Sequence, residues 1–220
     1  MIIETRFNGP PGSGNGGYCA GRFATALAGA GPAEVTLLRP PPLDVPLTAV
    51  DDEIRDPDGT VIARVRPVGP VDATVPGVDR ATAVDASTRY PGFVDHPFPT
   101  CYVCGPQAPA GLRIFPGPLS DGRTAAPFVV PETVEPAVVW AALDCPGGWA
   151  VIAPGRPYVL GRVAAEVHDL PAPGTECVVV GALIGTEGRK ALVHSTLYAP
   201  DGTLLARARA TWIALPPPRV

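Results

Sequence analysis

The sequence is poor in charged residues. They make up 17% of its 220 residues, and Lys190 is the only lysine among 17 basic residues. The formal net charge is -4 at pH 7, so the chain has no excess of basic residues that could neutralise a phosphate backbone. The composition therefore argues against nucleic acid as a partner.

Long apolar runs are also missing. No segment approaches the roughly 18 uninterrupted apolar residues that a membrane-spanning helix needs. The first residues, MIIETRFNG, contain neither the basic region nor the apolar region of a secretory signal. We therefore expect a soluble, cytoplasmic protein that has no membrane partner.

Cysteines are few, and their spacing does not predict a disulfide framework. In a chain without a secretory signal, five cysteines indicate free thiols. Cys101 and Cys104 form one C-x-x-C pair, but a structural zinc site normally has four ligands and a second pair is absent. His96 and Cys145 could supply the others, although their spacing resembles no known zinc motif. We therefore interpret the pair as packing residues and expect no bound metal.

The clearest feature that the sequence does contain is an internal repeat. Residues 56–66 read DPDGTVIARVR and residues 199–209 read APDGTLLARAR, with seven of eleven positions identical. Each copy is a Pro-Asp-Gly turn followed by alternating residues, the pattern of a strand with one packed face. The repeat predicts two related halves in one chain.

A predicted helix precedes each copy of the repeat. Residues 16–28 have the apolar spacing of a helix and are followed by glycine and proline, and residues 136–149 are their counterpart. Pro146, which two glycines follow, is expected to end or kink the second helix. Strand-like segments separated by turn residues come after each helix, so each half is predicted to be a helix followed by an antiparallel meander.

These patterns divide the chain into three parts. Residues 1–70 form a shortened N-terminal repeat, residues 71–100 a connector rich in proline and glycine, and residues 101–220 the C-terminal repeat. Each half has one helix to cover its sheet, so joining the halves is the simplest way to bury both apolar faces. We expect an α+β pseudo-dimer.

An N-terminal strand, one long helix and a meander, given twice, resemble the double hotdog fold of acyl-CoA thioesterases. Three motifs carry the resemblance: NGGYCAGRFATAL at 15–27, CYVCGPQAPAGLRI at 101–114 and WAALDCPGGWA at 140–150. The first and third are similar to parts of the central hotdog helix, and the second to the segment that opens many PaaI-like domains. The resemblance implies two antiparallel sheets, each wrapped on one long helix, and an acyl-CoA or acyl-carrier thioester as the ligand. We expect no cofactor.

Five residues are candidates for the site. Asp144 is the one acid in an otherwise apolar helical run, where a lone carboxylate is costly unless it is paired or used. Gly16 and Gly17 open the first helix, where unpaired amides can approach a substrate oxyanion closely. We predict Asp144 as nucleophile or general base and the two glycine amides as oxyanion donors. Asn15 and Ser13 are predicted to contact the substrate, and the alternative is that one of them only caps the helix.

The candidate acid and the candidate glycine pair lie in different halves of the chain. The first half has the glycine pair but places Ala24 where the acid belongs, whereas the second has Asp144 but Glu135 and Pro136 where the glycine pair belongs. The resemblance therefore implies a single site that is built across both halves. We expect the carboxylate to lie about 6 to 8 Å from the glycine amides, with room for a reacting carbonyl between them.

Hydrolysis of the thioester at this site is the leading hypothesis. The alternative is a non-catalytic acyl-thioester or acyl-CoA binding protein of the hotdog fold, which the expected helix break favours. A zinc-dependent or redox function of the C-x-x-C pair is a third hypothesis. His96, His168 and His194 lack the placement of dehydratase histidines and are predicted to be packed or edge residues. Assembly of these units into a homo-oligomer stays open.

Overall fold

The computed structural model describes residues 1–216. Its helices are α1 (Gly16–Ala28), α2 (Arg80–Thr88) and α3 (Pro136–Trp149). Its strands are β1 (Ala33–Leu37), β2 (Thr48–Val50), β3 (Glu53–Arg55), β4 (Val61–Pro67), β5 (Gly117–Pro118), β6 (Thr124–Val129), β7 (Tyr158–Val167), β8 (Glu176–Glu187), β9 (Lys190–Tyr198) and β10 (Leu204–Ala214). Within these residues, no helix combines the length and the hydropathy that crossing a bilayer requires.

The expectation of two sheets was wrong, because all ten strands form one antiparallel sheet in the order β2-β3-β4-β1-β7-β10-β9-β8-β6-β5. Strands β1 and β7 pair with each other, and each directly follows a long helix in the chain. Outward from this pair, β4, β3 and β2 on one side mirror β10, β9 and β8 on the other. The repeated segments identified in the sequence contribute β4 and β10, and their turn glycines, Gly59 and Gly202, have φ of 81° and 85°.

Helix α1 occupies the residues that the sequence predicts. Asn15 caps its first turn, because its side-chain oxygen accepts a hydrogen bond from the amide of Tyr18 at 2.9 Å. The helix ends at Gly29, whose φ of 72° suits glycine and few other residues. Tyr18 and Phe23 are among its side chains that are buried in the main core.

Helix α3 does not end at Pro146, so that part of the expectation was wrong. The helix continues through Gly147 and Gly148 and ends at Trp149. Polar side chains of the sheet support the turn that contains the proline: the hydroxyl of Thr124 donates to the Pro146 carbonyl at 2.7 Å, and that of Ser195 accepts from the Gly147 amide at 3.0 Å. These tertiary contacts compensate locally for the hydrogen bond that proline cannot donate.

The last turn of α3 lies directly on the sheet, and a glycine of β8 makes this approach possible. A Cβ atom at Gly181 would lie 2.3 Å from the carbonyl carbon and oxygen of Pro146. Because these are backbone atoms of a packed helix, they cannot move aside without moving the helix. The close packing of α3 on β8 therefore depends on the absence of a side chain at this position.

We expect Gly181→Ala to lower the free energy of unfolding by about 1–3 kcal/mol, the usual range for an overpacked core site. Gly185→Ala, on the same strand, is the matched control, because a Cβ atom there would meet nothing within 4 Å. Its effect should stay within about 0.5 kcal/mol. Urea unfolding of the two variants measures the difference, and equal stabilities would contradict the proposed contact.

Two parts of the chain differ from the sequence expectation. The connector contains helix α2, whose Ala83 and Ala86 pack on the face of the sheet opposite α3, against Ala125, Val178 and Val180. The N-terminal strand expected in the first half is absent from the described structure. A single 3-10 turn at Thr5–Phe7 and an isolated bridge between Asn8 and Gly14 occupy that region, which is rich in proline and glycine.

Candidate active site

Helices α1 and α3 cross in opposite directions and approach closely where α1 has glycines. A Cβ atom at Gly21 would lie 2.6 Å from the Cα atom of Ala137, near the start of α3. A Cβ atom at Gly17 would lie 2.5 Å from the Cβ atom of Asp144, near its end. The N-terminus of α1 is therefore packed directly against the carboxylate-bearing turn of α3.

Asp144 is buried at this crossing, with 5% of its surface exposed. Its Oδ2 atom accepts two hydrogen bonds, from the amide of Gly17 at 3.0 Å and from Nδ2 of Asn15 at 3.1 Å. Its Oδ1 atom has no hydrogen-bond partner among residues 1–216. The two carboxylate oxygens therefore have different surroundings, one anchored by two donors and the other buried without a donor from residues 1–216.

Burial makes the carboxyl group of Asp144 a weaker acid. It raises the pKa of Asp144 to about 7, and the hydrogen bond from the Gly17 amide partly opposes the rise. The positive end of the α1 dipole lies beside the same oxygen and also favours the carboxylate. The proton therefore leaves Asp144 much less readily than it leaves an exposed aspartic acid.

The arrangement differs in one respect from the expected one. We expected about 6 to 8 Å between the carboxylate and the glycine amides. This expectation was wrong for Gly17, whose amide donates directly to Asp144 at 3.0 Å. The Gly17 amide is therefore not free to receive a substrate oxyanion in this state. The Gly16 amide makes no backbone hydrogen bond in the described part of the chain, and Gly16 lines the adjacent cavity.

The cavity beside the carboxylate has a volume of about 500 Å³. Apolar side chains from both halves of the chain form most of its wall, among them Leu37, Phe98, Ile152, Leu160, Trp212 and Ile213. Asn15, Gly16 and Asp144 lie at the wall where the two helices meet. The cavity is large enough for an acyl group, and Asp144 is one of the residues that line it.

The other two predicted contact residues have different surroundings. Asn15 combines both roles considered for it, because it caps α1 and also donates to Asp144. Ser13 does not cap the helix: its hydroxyl donates to the carbonyl of Gly14 at 3.3 Å. Ser13 is buried and lines the cavity.

At the opposite end of the helix crossing, the corresponding residues make a different set of contacts. Ala24, which stands where an acid would be needed, is packed in the core. Glu135 accepts a hydrogen bond from the Tyr18 hydroxyl at 3.0 Å, and Arg22 donates to the same hydroxyl. This end therefore lacks the carboxylate–amide pair that is found at Asp144.

The structure also brings together thiols that are far apart in sequence. The sulfur atoms of Cys101, Cys104 and Cys145 all lie within 4.8 Å of one another, and all three residues are buried. His96 Nε2 is 3.4 Å from the sulfur of Cys104. In the sequence, His96 and Cys145 were only possible partners of the C-x-x-C pair, because no spacing motif connects them with it and only the fold places Cys145 of α3 beside this turn.

The three thiols differ in acidity. Hydrogen bonds from the thiols of Cys104 and Cys145 hold the pKa of Cys101 well below its usual value, whereas burial raises the pKa of both donors. The cluster lines the same cavity as Asp144. Nδ2 of Asn15 connects the two groups, since it lies 3.7 Å from the sulfur of Cys101.

No protein-family model and no curated protein matches the sequence. Solved structures do match. The chain is similar to a "putative thioesterase" from Novosphingobium aromaticivorans DSM 12444 over 98% of its own length and 94% of that chain, with a TM-score of 0.60 and 14% identity. It is similar to the "oleoyl thioesterase (putative)" from Lactobacillus plantarum over 98% and 95%, with a TM-score of 0.55 and 12% identity.

A third structure, of a thioesterase superfamily protein, matches 53% of this chain with a TM-score of 0.47 and 19% identity, and the chain spans 61% of that protein, less than two thirds. The two full-length matches show the fold. The protein has an α+β, hotdog-like fold of the kind found in thioesterases, with one large antiparallel sheet and few helices.

Proposed function

We propose that the protein hydrolyses an acyl-CoA or acyl-carrier thioester in the cavity beside Asp144. The observation that carries this proposal is the buried carboxylate of Asp144, a residue that lines the apolar cavity. One of its oxygens is anchored by the Gly17 amide, and the other has no partner among residues 1–216. A buried acceptor that the chain leaves unpaired is costly and is typical of a functional group. The fold that the chain shares with two structures of putative thioesterases adds support.

In the proposed reaction, Asp144 either attacks the thioester carbonyl or removes a proton from an attacking water molecule. Its Oδ1 atom is the reacting oxygen, since Oδ2 is held by Gly17 and Asn15. Gly17 and Asn15 are therefore positioning residues in this scheme. They fix the carboxylate so that little reorganisation is needed when the substrate enters.

The negative charge that develops on the carbonyl oxygen requires a donor. We assign that role to the Gly16 amide, which lies at the N-terminus of α1 and lines the cavity. This changes the role expected for Gly17, whose amide is already bonded to Asp144. The apolar wall would receive the acyl chain, and no cofactor takes part in the proposed steps.

We further propose that the chain is a double hotdog with one such site between its halves. The mirrored succession of strands around β1 and β7 supports this reading, with residues 1–70 and 101–220 as the two repeats and 71–100 as the connector. The halves are unequal, because β5 and β6 precede α3 whereas no strand precedes α1 in the described chain. Among residues 1–216, the acid and the glycine amides come together where α1 crosses α3 at Asp144.

A thiol-release assay over short, long and aromatic acyl-CoA substrates tests the proposed function. We expect turnover with at least one class, and the apolar cavity favours acyl chains over unacylated CoA. Calorimetry with the same esters is run in parallel. Binding without turnover of any member would contradict hydrolysis and support the alternative, a non-catalytic acyl-thioester binding protein.

A further inference from the structure

The buried cluster of Cys101, Cys104 and Cys145 has the geometry of a metal site. Three sulfur atoms that bind one tetrahedral zinc ion at about 2.3 Å lie about 3.8 Å apart. The three sulfurs here lie within 4.8 Å of one another, so only small rotations of the side chains would bring all of them to one ion.

The turn that carries two of these residues is shaped for its role. The amide of Gly105 donates to the carbonyl of Cys101 at 2.8 Å, which folds the C-x-x-C segment back on itself. A Cβ atom at Gly105 would lie 2.4 Å from the amide nitrogen of Cys101, so only glycine allows this turn. The tight turn directs the sulfurs of Cys101 and Cys104 toward the same point of α3, where Cys145 lies.

N–H groups surround the cluster. Nε1 of Trp149 donates to the sulfur of Cys104 at 3.4 Å, and Nδ2 of Asn15 approaches that of Cys101 at 3.7 Å. Nδ1 of His96 accepts from the amide of Phe98 at 2.9 Å, so the neutral ring carries its proton on Nε2 and donates to Cys104. Donors of this kind stabilise metal-bound thiolates in the outer shell of a site.

We propose that Cys101, Cys104 and Cys145 bind one Zn²⁺ ion as three thiolates. Binding displaces the remaining thiol protons to solvent, and the ion's two positive charges offset most of the thiolate charge. The cluster lines the cavity, and we assign the fourth position to a water molecule from it. His96 remains a hydrogen-bond donor to Cys104 in this arrangement.

Such an ion would tie the C-x-x-C turn to α3. The turn already contacts that helix through the hydrogen bond from Trp149, and it forms part of the cavity wall. Metal binding would therefore stabilise the folded state and the shape of the cavity together. This inference does not depend on whether the protein hydrolyses thioesters.

Metal analysis of the full-length protein, purified under reducing conditions without added metal, tests the proposal. We expect about one zinc per chain after one equivalent of ZnCl₂ is supplied, and a thiolate-to-metal charge-transfer band when CoCl₂ replaces it. Removal of the metal by a chelator should lower the melting temperature, and ZnCl₂ should restore it. Wild-type protein with reduced thiols that binds neither ion would overturn the proposal.

Variants identify the ligands. Cys104→Ser and Cys145→Ser should each lower zinc affinity by more than the roughly 10–100-fold that loss of an outer-shell group costs. His96→Ala should fall within that range, and complete loss of zinc in His96→Ala would overturn the three-thiolate assignment. Cys177→Ser is the matched control, because Cys177 is a buried free thiol on β8 outside the cluster. Equal zinc loss in this control would show that binding is non-specific.

Discussion

Asp144→Asn is expected to lower thioester hydrolysis by about 10²–10⁴-fold while the protein stays folded. Asparagine has nearly the same shape as aspartate and can still accept the hydrogen bond from the Gly17 amide. It cannot attack a carbonyl or accept a proton from water. The measurement is the rate of thiol release by variant and wild type at equal concentration, with the melting temperature recorded for both.

Asp52→Asn is the control for this substitution, because Asp52 is an exposed acid on the turn between β2 and β3. It should leave both rate and stability unchanged. If Asp144→Asn lost its melting transition together with its activity, the carboxylate would be structural. Full activity in a folded Asp144→Asn protein would remove Asp144 from the proposed reaction.

Gly17→Ala is expected to lower the rate of hydrolysis about as much as Asp144→Asn does. It should also destabilise the protein by at least about 2 kcal/mol. The new Cβ atom would lie 2.5 Å from the Cβ atom of Asp144 and 2.8 Å from the carbonyl oxygen of Trp140. The second of these is helix backbone, so α1 would have to move away from α3. The higher helix propensity of alanine returns at most about 1 kcal/mol, which is less than the cost of this overlap.

Gly31→Ala tests whether the loss comes from the contact rather than from any change near α1. A Cβ atom at Gly31 would meet nothing within 4 Å, so this variant should match the wild type in urea unfolding and in rate. An active and fully stable Gly17→Ala protein would show that α1 and α3 do not pack as described. It would also remove the anchor proposed for Asp144.

The sequence predicted those parts of the fold that depend on local pattern. Helix α1 is bounded by an asparagine cap and a glycine stop, and both signals are visible in the sequence. The repeated strands were found from their shared turn and alternation. The neighbourhood of Asp144 and the glycine pair followed from the comparison of the two halves and from the family resemblance.

The parts that were missed depend on contacts between distant residues. Helix α3 continues past Pro146 because hydroxyl groups of Thr124 and Ser195 support the backbone there, and no local signal announces those partners. Helix α2 is short and weakly amphipathic, and segments rich in proline and glycine flank it. The sequence therefore gives only a weak helical pattern there. The Gly17 amide lies closer to the Asp144 carboxylate than the sequence predicts. Glycine lets the two helices touch at a point where a cleft was expected.

The order of the strands also bears on the solubility of the chain. A ten-stranded open sheet ends in two edges, where unpaired amides and carbonyls can recruit strands from other molecules. Here the edges are β2, with three residues, and β5, with two residues that include Pro118. Such short edges offer few groups for pairing, and proline removes a donor from one of them. The long hydrogen-bonded strands are all interior, so the geometry of the sheet itself opposes edge-to-edge aggregation.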